Sequence, residues 1–100
     1  MINQLTEEEK WELIGFVRIS PHRLLTIQAL RNGFLMPSEI ARLTGMKTTQ
    51  ASSALIDLKK KNLVVCMNES SHKGRIYQST ELGLAILEVI EHESKRSPWQ

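Results

Sequence analysis

The chain has 100 residues, 41% of them hydrophobic, with a formal net charge of +2. That length holds one domain around one core, and the scarcity of Gly and Pro argues against disordered or fibrous classes. A single cysteine excludes an internal disulfide, no apolar run reaches the length of a membrane span, and the acidic start MINQLTEEEKWEL lacks the features of a secretory signal. The expectation is a cytoplasmic protein without a membrane partner.

In chain order, Thr6 and Glu9 have the spacing of a capping box, which predicts a first helix over 7–19. Its apolar residues, including Trp11, Leu13, Ile14, Phe16 and Val17, cover more than one face at the helical period. Either a second subunit or the C-terminal helix of the same chain must bury the excess. With only five aromatic residues, the core is light, which favours the second subunit. Ser20-Pro21 is a helix start, with Ser as cap and Pro at the first helical position. The second helix runs to Leu30, burying Leu24, Leu25, Ile27 and Leu30, and Arg31-Asn32-Gly33 closes it. Phe34-Leu35-Met36 reads as a short extended bridge.

The stretch 37–62 reads as a helix over 37–44, a turn at Gly45-Met46 and a second helix over 48–61. Ile40, Leu43 and Met46 lie to one side of the first half, and Ala51, Leu55 and Leu58 to one side of the second. The opposite side of the second helix carries Thr49, Ser53, Ile56 and Lys60, flanked by Gln50, Ser52 and Asp57. A helix with small buried residues and a polar outer face, set after a short turn, has the form of a helix-turn-helix. Ser38 rather than Met36 is the expected cap of the first helix. Asn62 occupies a left-handed cap position, for which Asn is the best choice after Gly.

Leu63 to Asn68 is β-branched and apolar, which predicts a strand. Residues 69–74 form a polar hairpin loop and 75–79 the return strand, so the wing occupies 63–79 with Lys73 and Arg75 near its tip. Thr80 caps a last helix over 81–93, striped by Leu82, Ile86, Val89 and Ile90, with Leu84 and Leu87 widening the apolar surface. The tail SKRSPWQ is polar and carries an isolated Trp99 that could dock on a partner. The fold expected is mainly α (α+β): a three-helix core, a two-stranded wing, and N- and C-terminal dimerisation helices, all in one domain over 1–100.

Charge is segregated along this order. Residues 47–75 carry Lys47, Lys59, Lys60, Lys61, Lys73 and Arg75 against Asp57 and Glu69. A localised cationic region is the electrostatic footprint of a polyanion partner, although a lysine run also suits a solvated helix end.

The order of elements and the residues at their joints resemble winged helix-turn-helix transcriptional regulators of the MarR-like and ArsR-like types found in archaea and bacteria. SPHRLLTIQAL resembles the S-x-x-R-x-x-I-L second helix, PSEIARLTGMKTTQASSALIDLKKKNLVV the helix-turn-helix leading into the wing, and KGRIYQSTELGLAIL the return strand with its Y-x-L-T-x-x-G junction. Three positions depart from the pattern: Lys47 replaces a Ser or Thr cap, Asn62 replaces a Gly, and Ser79 replaces an apolar residue. The paired cysteines of metal-sensing ArsR-like proteins are absent from the sequence.

The resemblance implies a sequence-specific regulator of double-stranded DNA, with helix 48–61 in the major groove and loop 69–75 on the backbone or in the minor groove. Gln50 can read an adenine edge; Thr48, Thr49, Ser52 and Ser53 can reach bases or phosphates. Lys47, Lys59, Lys60, Lys73 and Arg75 would neutralise phosphates. Four to six such contacts per subunit give a log–log salt slope of roughly −4 to −5. Trp11, Leu13, Phe16, Val17, Leu84 and Leu87 are the expected seam of a homodimer.

Cys66 reads as a packed small residue, with redox sensing the weaker alternative. His22, His72 and His92 are too scattered for a metal set, and no cofactor or catalytic constellation stands out, so an enzyme is not expected. The rival reading is a winged-helix protein–protein interaction module in a larger complex, because fold alone does not determine function.

Overall fold

The structure is a computed structural model that describes residues 4–95. The tail from Arg96 onward, with Trp99, lies outside the described residues. The elements are α1 (Glu7–Arg18), α2 (Pro21–Ala29), α3 (Pro37–Thr44), α4 (Thr48–Lys60), β1 (Val64–Cys66), β2 (Tyr77–Ser79) and α5 (Glu81–Lys95). This is a winged helix: a helical core with an antiparallel two-stranded wing and a closing helix.

Local chemistry explains the boundaries. At α1 the Glu9 N–H donates to Thr6 Oγ1 and the Thr6 N–H to Glu9 Oε1, at 3.0 and 2.9 Å, closing the capping box. At α2 the Arg23 N–H donates to Ser20 Oγ behind Pro21. Helix α3 starts differently from the expected Ser38 cap: Glu39 reaches back and accepts from the Met36 N–H at 2.8 Å. Gly45 ends it at φ 80°, a left-handed conformation that Gly adopts without a Cβ penalty. Asn62, at φ 61°, does the same after α4.

The strands are shorter than the apolar run suggests. Val64, Val65 and Cys66 pair with Ser79, Gln78 and Tyr77. Beyond them Asn68 takes over the pairing role: its Oδ1 accepts from the Ile76 N–H and its Nδ2 donates to the Gly74 carbonyl. The extended bridge reduces to one residue pair, Leu35 with Tyr77, joined by two backbone hydrogen bonds of 2.9 and 3.0 Å.

The core gathers Ile14 and Val17 of α1, Ile27 and Leu30 of α2, Ile40 of α3, Leu55 and Leu58 of α4, Leu63 and Val64, and Leu82, Ile86, Leu87 and Ile90 of α5. Two residues expected inside lie outside: Leu43 is 64% and Leu25 37% exposed. The buried side of α3 is Ile40 and Ala41. A small Ala there lets α3 approach α4 closely, and Leu43 turns to solvent.

The wing meets α5 at a tight joint. The Thr80 N–H donates to the Leu63 carbonyl at 3.1 Å, and Thr80 Oγ1 donates to the Asn62 carbonyl while accepting from the Gly83 N–H. A Cβ on Gly83 would lie 2.1 Å from the Leu63 carbonyl oxygen. Gly is therefore required at the point where α5 passes the Leu63 backbone, just before β1.

Candidate nucleic-acid interface

Helix α4 has two faces of opposite character. Ala51, Ala54, Leu55 and Leu58 are buried. Thr48, Thr49, Ser53, Ile56 and Lys60 are exposed, and Gln50, Ser52, Asp57 and Lys59 are half-buried. The helix starts without a side-chain cap from Lys47. Instead Gln50 Oε1 accepts from the Lys47 N–H at 2.9 Å. The Gln50 carbonyl oxygen thus serves the helix start, and its amide N–H groups remain available.

Clefts flank this helix. On one side, a pocket of about 310 Å³ is lined by Ser20, His22 and Arg23 of the α2 start together with Thr49, Gln50, Ser53 and Asp57. On the other, about 320 Å³ lies between Ser38, Thr48 and Ser52 and the wing residues His72, Gly74 and Arg75. A third, of about 370 Å³, separates Ile56, Lys59 and Lys60 from Arg75 and Tyr77. The packing of α2 and the wing against α4 brings His22 and His72 beside the recognition face, a placement their sequence spacing does not reveal. His92 lies elsewhere, beside Trp11. Among the described residues no group of three His, Cys, Asp or Glu side chains could hold a metal ion, and Cys66 is buried.

Arg23 is the bracket that holds α4 to the helices before it. Its guanidinium lies 3.9 Å from the centroid of the Phe16 ring. It donates to the Phe16 carbonyl at 2.9 Å and to Asp57 Oδ2 at 3.3 Å. Only a planar fork of several N–H donors can meet a carbonyl, a carboxylate and an aromatic face together. The result joins the end of α1, the start of α2 and the outer edge of α4, and it neutralises the one carboxylate on the recognition face.

The wing spends part of its charge internally. Arg75 Nε donates to the Ser71 carbonyl at 2.8 Å and Nη2 to the Glu69 carbonyl at 3.3 Å, which folds the loop around the guanidinium. Lys59 of α4 forms an ion pair with the Glu69 carboxylate. The hydrogen bond between them, with the Coulombic attraction added, raises the Lys59 ammonium above its usual range and lowers Glu69 below the usual carboxylate range. The pair therefore stays charged across the neutral range. Glu69 loses its hold only as pH falls through the lowered carboxylate pKa, and Lys59 only as pH rises through its raised one. Lys47, Lys60 and Lys73 have no ion-pair partner among the described residues.

The expected seam divides. Trp11 is 48% and Leu84 39% exposed, and Trp11 lines a groove of about 480 Å³ with Ala85, Val89 and His92. Leu13 and Phe16 are half-buried. Val17 and Leu87, expected at the seam, are 0% and 2% exposed and belong to the chain's own core. Helix α1 packs directly on α5, and Arg18 and Glu93 pair across them at 3.3 Å. Intrachain packing thus accounts for part of the apolar width of both helices.

The sequence matches no protein-family model and no curated protein. Among solved structures, a MarR family transcriptional regulator from Silicibacter pomeroyi DSS-3 is similar, with a TM-score of 0.65 and 16% identity over 90% of this chain and 67% of that one. At that identity the likeness establishes the winged-helix fold. None of the described helices is long and apolar enough to cross a membrane.

Proposed function

We propose that this protein is a MarR-like transcriptional regulator that binds double-stranded DNA, with α4 in the major groove and the wing loop on the backbone or in the minor groove. The observation that carries this reading is the first two turns of α4. They offer hydroxyls, an amide and Lys47 to solvent without an ion pair among the described residues, between two clefts that add His22 on one side and His72 on the other. The similarity to a transcriptional regulator supports it.

Gln50 reads a base edge through its free amide N–H groups, and Thr49 and Ser53 adjust to bases or phosphates. Lys47, Lys60 and Lys73 neutralise phosphates. Lys47, Lys60, Lys73 and Arg75, whose bonds to carbonyls leave its charge intact, give a salt slope of roughly −4 per subunit, shallower than a count of all five cations implies, because Lys59 is paired with Glu69. Phe16 is taken up under Arg23 within the chain. A second copy meets the first across Trp11, Leu13 and Leu84, so that two recognition helices reach successive major grooves.

The competing reading, a protein-docking module, draws on the exposed apolar side chains Leu43 and Ile56 on the helix-turn-helix itself. Fluorescence anisotropy with random-sequence duplex DNA across a salt series separates the two. The DNA reading expects binding at low salt that weakens steeply as salt rises, followed by a consensus in site selection. Absence of binding at low salt, or affinity indifferent to salt, would favour the docking module.

A further inference from the structure

Lys59 and Glu69 are ten positions apart, on different elements, and each is more than one-third exposed. The pair joins the last turn of α4 to the first residue of the wing loop. Arg75 grips the backbone of the same loop through the carbonyls of Glu69 and Ser71. The Glu69 side chain is thus presented to Lys59 by an ordered loop. A carboxylate accepts hydrogen bonds from an ammonium much as a phosphate oxygen does. A phosphate oxygen can therefore compete with the Glu69 carboxylate for Lys59.

We propose that Glu69 is a built-in competitor of the DNA backbone: it latches the wing to the recognition helix through Lys59 and withholds one cation from phosphate. This rests on the DNA-binding reading above and adds a determinant of affinity to it. The latch lowers affinity for DNA of any sequence and leaves base contacts at the start of α4 untouched. Discrimination between sequences therefore depends more on Gln50 and its neighbours than on total charge. Both side chains are more than one-third exposed, so exchange of carboxylate for phosphate needs no unfolding of the core.

The test is a double-mutant cycle on the full chain with random-sequence duplex DNA at about 50 mM salt and upward. E69Q frees Lys59. Its affinity should rise about three- to tenfold, and its salt slope should steepen by about 0.9, the value of one more neutralised phosphate. Removing any nearby carboxylate also favours DNA through the general field, so the second arm is decisive. In a K59Q background the E69Q substitution should lose most of its gain and leave the slope unchanged. Equal melting temperatures of the variants show that the fold is intact. Wild-type binding with no gain in E69Q overturns the latch alone, as does a gain that persists undiminished without Lys59. Failure of wild type and E69Q alike to bind at low salt overturns the DNA reading, and the latch with it.

Discussion

The two ends of α4, the proposed recognition helix, are built on opposite plans. At its start, α4 has no side-chain cap from Lys47, and the side chains of Thr48, Thr49 and Ser53 point into solvent or open clefts. At its far end Ile56 and Lys60 stay exposed, but the groups around them are engaged. Asp57 is held by Arg23, Lys59 by Glu69, and the Asn62 and Leu63 carbonyls by Thr80. The difference teaches which part of a helix can read and which part must be held: a helix presented to a ligand needs an anchored end so that its free end has a defined position.

Substitutions that attack the anchored end should cost stability, and those at the open end should cost recognition. The largest effect is expected for G83A. Its Cβ would meet the Leu63 carbonyl at 2.1 Å, so α5 must move off the Leu63 backbone. A loss of about 3 kcal/mol or more in denaturant unfolding is expected; a loss under about 1 kcal/mol would mean that the joint is slack. Next comes R23Q, which removes the bond to the Phe16 carbonyl, the stacking on its ring and the pair with Asp57. About 2 kcal/mol of stability should go. Affinity for DNA should fall as well, because Asp57 is left unneutralised beside Gln50 and Ser53. Restored affinity in R23Q/D57N without restored stability would separate the two roles of Arg23. Smallest in stability is Q50A, which deprives the Lys47 N–H of its partner and costs under about 1 kcal/mol. Its effect should fall on discrimination: about 1–3 kcal/mol at a selected site, with affinity for random sequence nearly unchanged. Equal losses on both DNAs would remove Gln50 from base reading.

Sequence signals were strongest where one short-range chemical device decides the outcome. The Thr6–Glu9 capping box, Ser20-Pro21, the turn at Gly45, the left-handed Asn62 and the cap Thr80 each act within four residues, and each stands in the structure where its sequence signal places it. Gly33, offered as a left-handed cap for α2, does not take that conformation, and Leu30 caps the helix instead. Hydrophobic periodicity was less reliable in the short helix α3. It favoured Leu43 for its size, whereas close packing favoured the small Ala41. Apolar width misled in a related way: Val17 and Leu87 read as surplus surface, but α1 and α5 bury them against each other's side of the core.

The polar face of α4 was legible because a helix exposes what it does not bury. What the cations do was not legible. Whether Lys59 and Arg75 are free depends on how the loop 69–74 closes, and that is decided by contacts such as Asn68 with Ile76 and Gly74. His22 was invisible as a neighbour of Thr49 for the same reason. It reaches the recognition face only through the packing of α2 on α4.

The central claim is that DNA meets this protein at the open end of α4. The most direct measurement is a map of backbone amide chemical shifts as duplex DNA is added to the isotope-labelled chain. The account predicts the largest changes at residues 47–53 and 72–74, with smaller ones near His22 and little along the α1–α5 groove. Changes concentrated around Trp11 and Leu84, with residues 47–53 undisturbed, would contradict it.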